Sequence, residues 1–262
     1  MNIIIDADQK NPDGVNIPCF YNFYHHILLA LGYDPQKPPI GDLLSKMHGL
    51  EGKWLIASPI LWQASHNDAM IVASGSALGI SHEESQNLFH TFKNFLDGGM
   101  EVFFHDRHHW LVRYDNKPEI NAAALSSTYH QSMLPLLQML DKSLFWQSLI
   151  TESQMLFNQM EKPSLKINGL WFWGNGTISV AKEPLFCTPA LHTLGSILSS
   201  EVQEISLEPK KYAKNAVFIL DHLSTNTLFL LEKQLKRKPA KWYWNNTAYT
   251  KTTSWWTRLW RK

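Results

Sequence analysis

The chain has 262 residues, a formal net charge of +1, 44% hydrophobic and 18% charged residues. That balance excludes a disordered or fibrous chain and leaves room for a substantial core, as one large domain or two small ones. The near-neutral charge points to no partner class, and the two cysteines, Cys19 and Cys187, lie in apolar sequence without metal-ligand neighbours, which reads as buried thiols of a reducing compartment, a disulfide between them being the alternative.

The N-terminus turns acidic after Ile3-Ile-Ile5 and lacks a basic, long-apolar secretory leader. No apolar run approaches the roughly 18 residues of a membrane span. The expected location is therefore the cytoplasm, with no transmembrane segment. Residues 2–6 read as a strand. Pro18, Phe20, Phe23, Tyr24, Ile27, Leu28 and Leu31, stopped by Gly32, read as an amphipathic helix. Its His25-His26 pair is expected at the surface and rim, since adjacent helical positions diverge by about 100° and cannot share one metal face.

After a Pro35–Pro39 loop and a short helix near 41–48, Trp54–Leu61 and Ala69–Ser74 read as neighbouring strands, with Ser65–Asp68 as their turn. Ser81 and Glu84 form a capping box for a helix whose Leu88, Phe92, Phe95 and Leu96 share one face and which Gly98-Gly99 ends. Met100–His105 and Trp110–Tyr114 read as a strand pair. The joining turn makes His105, Asp106, His108 and His109 the densest histidine cluster, and alternation of faces at an exposed hairpin tip favours a polar turn over a metal site. Helices follow at 130–140 and 143–160, then strands at Gly169–Trp173 and Asn215–Leu220, with helices near 188–199 and 226–237. The alternation specifies an α/β fold, a mixed sheet flanked by helices, as one domain over 1–262 with sub-lobes at 50–165 and 166–262.

Asn168-Gly169 and Gly174-Asn-Gly176 bracket the aromatic strand like a phosphate-cradling loop. They lack the Lys and Ser/Thr of a P-loop, and a tight turn with Trp171 and Trp173 as core is the competing reading. In the ligand-binding alternative, Asn168, Trp171, Trp173 and Asn175 line a pocket. Asp6 and Asp8 follow one strand and Asp221-His222 another, where α/β folds place ligands. They form the alternative site for a divalent metal such as Mn²⁺ or Zn²⁺; otherwise no cofactor is expected. The last 30 residues hold nine Lys or Arg, five Trp and no acidic residue. Lys236, Arg237, Lys238 and Lys241 would then meet an anionic polymer or membrane surface, the alternative being a basic face on a terminal hairpin whose tryptophans dock on the core.

Two stretches exceed what periodicity explains, Thr151-Glu-Ser-Gln-Met-Leu-Phe157 and Ile167-Asn-Gly-Leu-Trp-Phe-Trp-Gly-Asn-Gly176. With Trp54-Leu-Ile-Ala-Ser-Pro59, Gln63-Ala64, Ile80-Ser-His-Glu-Glu84 and Trp255-Trp-Thr-Arg-Leu-Trp-Arg261, they resemble the bacterial RpfE-type regulatory proteins, often labelled cofactor-independent phosphoglycerate mutase-like. The resemblance runs from about residue 50 to the end. It implies a regulatory or ligand-binding role and a fold related to part of the alkaline-phosphatase-like mutases, which use a serine nucleophile and two metals held by Asp and His. No complete set of those residues is found here. The chain also departs from relatives at Leu61, where a histidine is usual and His66 is an approximate stand-in.

Overall fold

The computed structural model describes residues 1–9, 15–16, 22–64, 68–160, 167–205, 212–221, 231, 233, 235 and 239–251. The chain is α/β, with two mixed or antiparallel sheets flanked by helices. Contacts divide it into two compact units, one built from Met1–Gly32 and Ser179–Lys262, the other from Tyr33–Ile178. The first begins with β1 (Asn2–Ile5), β2 (Val15–Asn16) and α1 (Phe23–Ala30). The second holds α2 (Ile40–Met47), β3 (Trp54–Ala64), β4 (Ala69–Ser74), α3 (His82–Phe95), β5 (Val102–Phe104), β6 (Trp110–Arg113), α4 (Leu125–Thr128), α5 (Met133–Gln138), α6 (Phe145–Asn158) and β7 (Gly169–Trp173). The first is completed by β8 (Leu185–Cys187), α7 (His192–Leu198), β9 (Val202–Glu204), β10 (Val217–Leu220), β11 (Ala240–Tyr243) and β12 (Thr247–Lys251).

The Tyr33–Ile178 unit includes β7, which among the described residues pairs with β3 and not with the later strands. In the central unit β3 carries β7 along one edge; along the other it carries β6 over Trp54–Ala57 and β4 over Ile60–Ala64, all antiparallel. The sequence explains the centrality of β3. Its residues 54–60 are all buried, the pattern of a strand covered on both faces. The capping box of α3 is realised, with Glu84 N donating to Ser81 Oγ (3.2 Å) and Ser81 N to Glu84 Oε2 (2.8 Å).

In the unit assembled from the chain ends, the sheet order is β2-β12-β11-β1-β10-β8-β9, and the five strands β11, β1, β10, β8 and β9 are parallel. Ile3–Ile5, Val217–Leu220 and Leu185–Cys187 are wholly buried, as central parallel strands require. α1 starts at Asn22, whose side chain accepts from His25 N; Pro18 and Phe20 lie outside the described residues. The surface expectation for His25 and His26 is overturned, for both are about 98% buried. Phe23, Ile27 and Leu28 set the buried stripe and the histidines fall within its width, His26 stacking on Tyr243 of β11 at 5.2 Å. The basic stretch does contain a hairpin, β11 with β12, and Trp242 and Trp244 dock inward.

Candidate functional site at the carboxyl edge of the parallel sheet

The connections of the parallel sheet decide where a crevice opens. From β8 the chain runs through α7 outward to β9, and Gly195 of α7 sits so close that a Cβ there would meet Val202 Cγ1, Leu185 Cδ2 and Cys187 Sγ at 3.0, 3.2 and 3.4 Å. From β10 it runs the other way, across β1 to β11, through the helical residues Leu231, Lys233 and Leu235. Leu231 and Leu235 join the cluster of Ile3, Ile5, Phe186, Phe218 and Trp242. Phe186 alternates with Leu185 and Cys187, so the two connections cover opposite faces. Adjacent strands whose connections diverge leave a crevice beyond their carboxyl ends, and here those strands are β8 and β10.

Thr188 and Asp221, the residues that follow these strands, meet in that position. Thr188 Oγ1 donates to Asp221 Oδ1 at 2.9 Å. On the neighbouring strand, Asp6 N donates to Leu220 O (2.8 Å), which continues the ladder one step and sets Asp6 beside Asp221 at about the 4.8 Å strand spacing. Asn245 Nδ2 donates to Asp6 Oδ1 (3.0 Å) and its N–H to Ala7 O (3.0 Å). Asn246 and Gln9 exchange two further bonds, at 2.8 and 2.9 Å. Asp6 and Asp8 are exposed and Asp221 is half-buried. Cys187, at the end of β8, has its thiol pushed up by burial and then by Glu204, so it stays protonated.

Of the residues singled out in the sequence, Asp6 and Asp221 are thus brought together, Asp8 is exposed on the segment that follows Asp6, and His222 lies outside the described residues. Among the described residues no three His, Cys, Asp or Glu are grouped to hold a metal ion. Thr188 and Asn245 escaped sequence reasoning. The three-residue run Leu185–Cys187 is too short to test for period, although Asn245-Asn246 is a turn signal that could have been extended to a hairpin.

Asn168, Trp171, Trp173 and Asn175 belong to the other unit, and their polar groups are engaged within it. Asn168 accepts from Trp62 N (2.7 Å) and donates to Trp62 O (3.0 Å), beside the register shift at Leu61/Trp62. Trp171 Nε1 donates to Ala123 O (3.0 Å), Trp173 Nε1 to Ser58 Oγ (2.9 Å) and Asn175 Nδ2 to Ile120 O (2.9 Å). Both indoles are fully buried, and Gly174 and Gly176 turn the chain at φ +77° and +126°. Asn168→Ala removes both bonds to Trp62 and leaves a buried strand edge unsatisfied. It should cost about 1–3 kcal/mol in denaturant unfolding, and Asn168→Asp, which keeps only the acceptor, should lose part of that.

The basic set is divided. Lys241 is exposed on β11, whereas Lys236, Arg237 and Lys238 lie outside the described residues. No helix among the described residues is long and apolar enough to cross a membrane.

No family model matches the chain, and no curated protein matches it. Among solved structures it is similar to a cofactor-independent phosphoglycerate mutase from Thermoplasma acidophilum DSM 1728, at 12% identity over 97% of this chain and 89% of that one, with a TM-score of 0.36.

Proposed function

We propose that this chain is a cytoplasmic regulatory protein of the RpfE type that binds a small ligand at the carboxyl edge of β8, β10 and β1. The observation supporting the reading is the divergence of the β8 and β10 connections to opposite faces, with Thr188, Asp221 and Asp6 at the opening. Two adjacent carboxylates, one hydroxyl and the Asn245 amide suit a ligand that offers positive charge or hydrogen-bond donors.

A second reading, a metal-dependent mutase or phosphatase, is favoured by the side-by-side Asp6 and Asp221. Carboxylates so placed can share a divalent cation, and the cation would neutralise charge on a transferring phosphoryl group. Asp6, Asp8, Asp221 and His222 would be the residues to hold it.

Both readings are tested on the full chain with Mn²⁺, Zn²⁺ and 3-phosphoglycerate, singly and together. A ligand at one hundred times its dissociation constant should raise the melting temperature by about 5–10 °C, and Asp221→Asn should abolish the rise. On the first reading 3-phosphoglycerate is not converted to 2-phosphoglycerate under any of these conditions. Metal-dependent conversion that disappears in Asp221→Asn would replace it with the second. A shift that Asp221→Asn leaves intact would remove the site from both.

A further inference from the structure

The turn between β5 and β6 is fixed from within by Asp106, whose Oδ1 accepts from His108 N (2.6 Å) and His109 N (2.8 Å) while its carboxylate takes His109 Nδ1 at 3.0 Å. Its side chains are more enclosed than a hairpin tip suggests, His105 and His109 being 11% and 13% exposed. Two contacts tie it to helices. Ser85 Oγ of α3 donates to Arg107 O (2.9 Å), and His48, which caps the C-terminus of α2, places its Nε2 2.8 Å from His105 Nδ1. The His48 ring also rests on Phe103, centroid to centroid 4.6 Å.

We propose that the His48–His105 pair is an acid-released latch that holds the end of α2 to the β5–β6 turn. Two imidazole nitrogens at this distance share one proton, one donating and the other offering its lone pair. The surroundings assign the roles. Asp106 Oδ2 lies 3.8 Å from His105 Nε2 and favours the proton there, which leaves Nδ1 as acceptor and makes His48 Nε2 the donor. A proton added to His48 leaves that donor in place. A proton added to His105 Nδ1 sets N–H against N–H and opens the latch.

Among the described residues, Asp106, His109 and His48 act on His105, together with burial. Burial acts first and holds it down, to about 4; Asp106 works against that, and His109 and His48 reinforce it. From α3, Ser85 is uncharged and His82 lies edge-on to Phe104 at 5.3 Å. The latch therefore stays closed at neutral pH and opens in acid as His105 takes its proton.

The test uses the full chain with ¹⁵N-labelled histidine. At pH 7.5 a through-hydrogen-bond coupling should join His48 Nε2 to His105 Nδ1, with His105 Nε2 carrying the proton. As pH falls the coupling should vanish together with a rise of about three- to tenfold in exchange of the 105–109 amides, relative to Leu111 and Val112, the loss expected for one hydrogen bond. His48→Phe keeps the ring on Phe103 but has no donor, so exchange at the turn should be fast at both pH values and the step should disappear. His108→Gln should retain it. Absence of the coupling at pH 7.5 overturns the proposal whether or not His48→Phe folds, and so does an unchanged step in that variant.

Discussion

Gly41→Ala should destabilise the Tyr33–Ile178 unit by about 3 kcal/mol or more, the largest loss expected from adding one carbon anywhere in α2. Gly41 sits in the first turn of α2 with its Cα against the start of β3. A Cβ there would stand 2.6 Å from Leu55 Cα and 2.8 Å from Trp54 C, with Trp54 O closer still. These are backbone atoms at the centre of the sheet and cannot rotate aside as a side chain would. The helix must lift off β3, and the bond from Gly41 N to Gly174 O (2.9 Å) goes with it. Gly49→Ala is the matched comparison. Gly49 has φ +64° and open space around it, so an alanine there meets only the left-handed penalty of about 1 kcal/mol. Thermal unfolding of the two variants should therefore differ by several degrees. Equal melting temperatures would mean that α2 docks on β3 more loosely than the Gly41 contacts state.

The same contact shows why parts of this fold were legible in sequence and parts were not. β3 and β7 could be read because each carries large apolar residues in succession, and α3 because its cap and apolar stripe are local. The partner of a strand is another matter. Asn2–Ile4 of β1 pair with Lys241–Tyr243 of β11, nearly the whole chain away, and nothing in either four-residue segment encodes the other. β8 and β9 have three residues each, below the length at which alternation can be told from chance. The two compact units within the chain are not written locally either, since the first of them joins the two ends of the chain.

The edge site was half legible. Asp6 and Asp221 could be named because each follows an all-apolar run, the mark of a buried parallel strand. Their adjacency depends on the β1–β10 register, Ile5 opposite Leu220, which only the assembled sheet supplies. Thr188 and Asn245 reach Asp221 and Asp6 because of that assembly too. Conversely, the aromatic segment Gly169–Trp173 could be read as either core or pocket from its residues; each indole N–H of Trp171 and Trp173 has its acceptor within the unit.

Burial of His26 gives the unit built from the chain ends an acid sensitivity of its own. Burial, and then the neighbouring His25, holds the His26 imidazole down to about 4, against about 6.5 in an unfolded chain. Between those values the unfolded chain binds a proton that the folded one does not. The stability His26 permits is thus complete above about pH 6.5 and falls as pH drops toward 4, by up to about 3 kcal/mol. Amide exchange at Ile3, Ile4 and Ile5 reads this unit specifically, which matters because His105 and His108 of the other unit are also held down to about 4. His26→Phe keeps an aromatic ring against Tyr243 and removes the proton site. Protection at Ile3–Ile5 should then fall much less between pH 7 and 4.5 than in the parent chain. An equally steep fall in the variant would assign the acid sensitivity to another group, since a phenyl ring on Tyr243 has nothing to titrate.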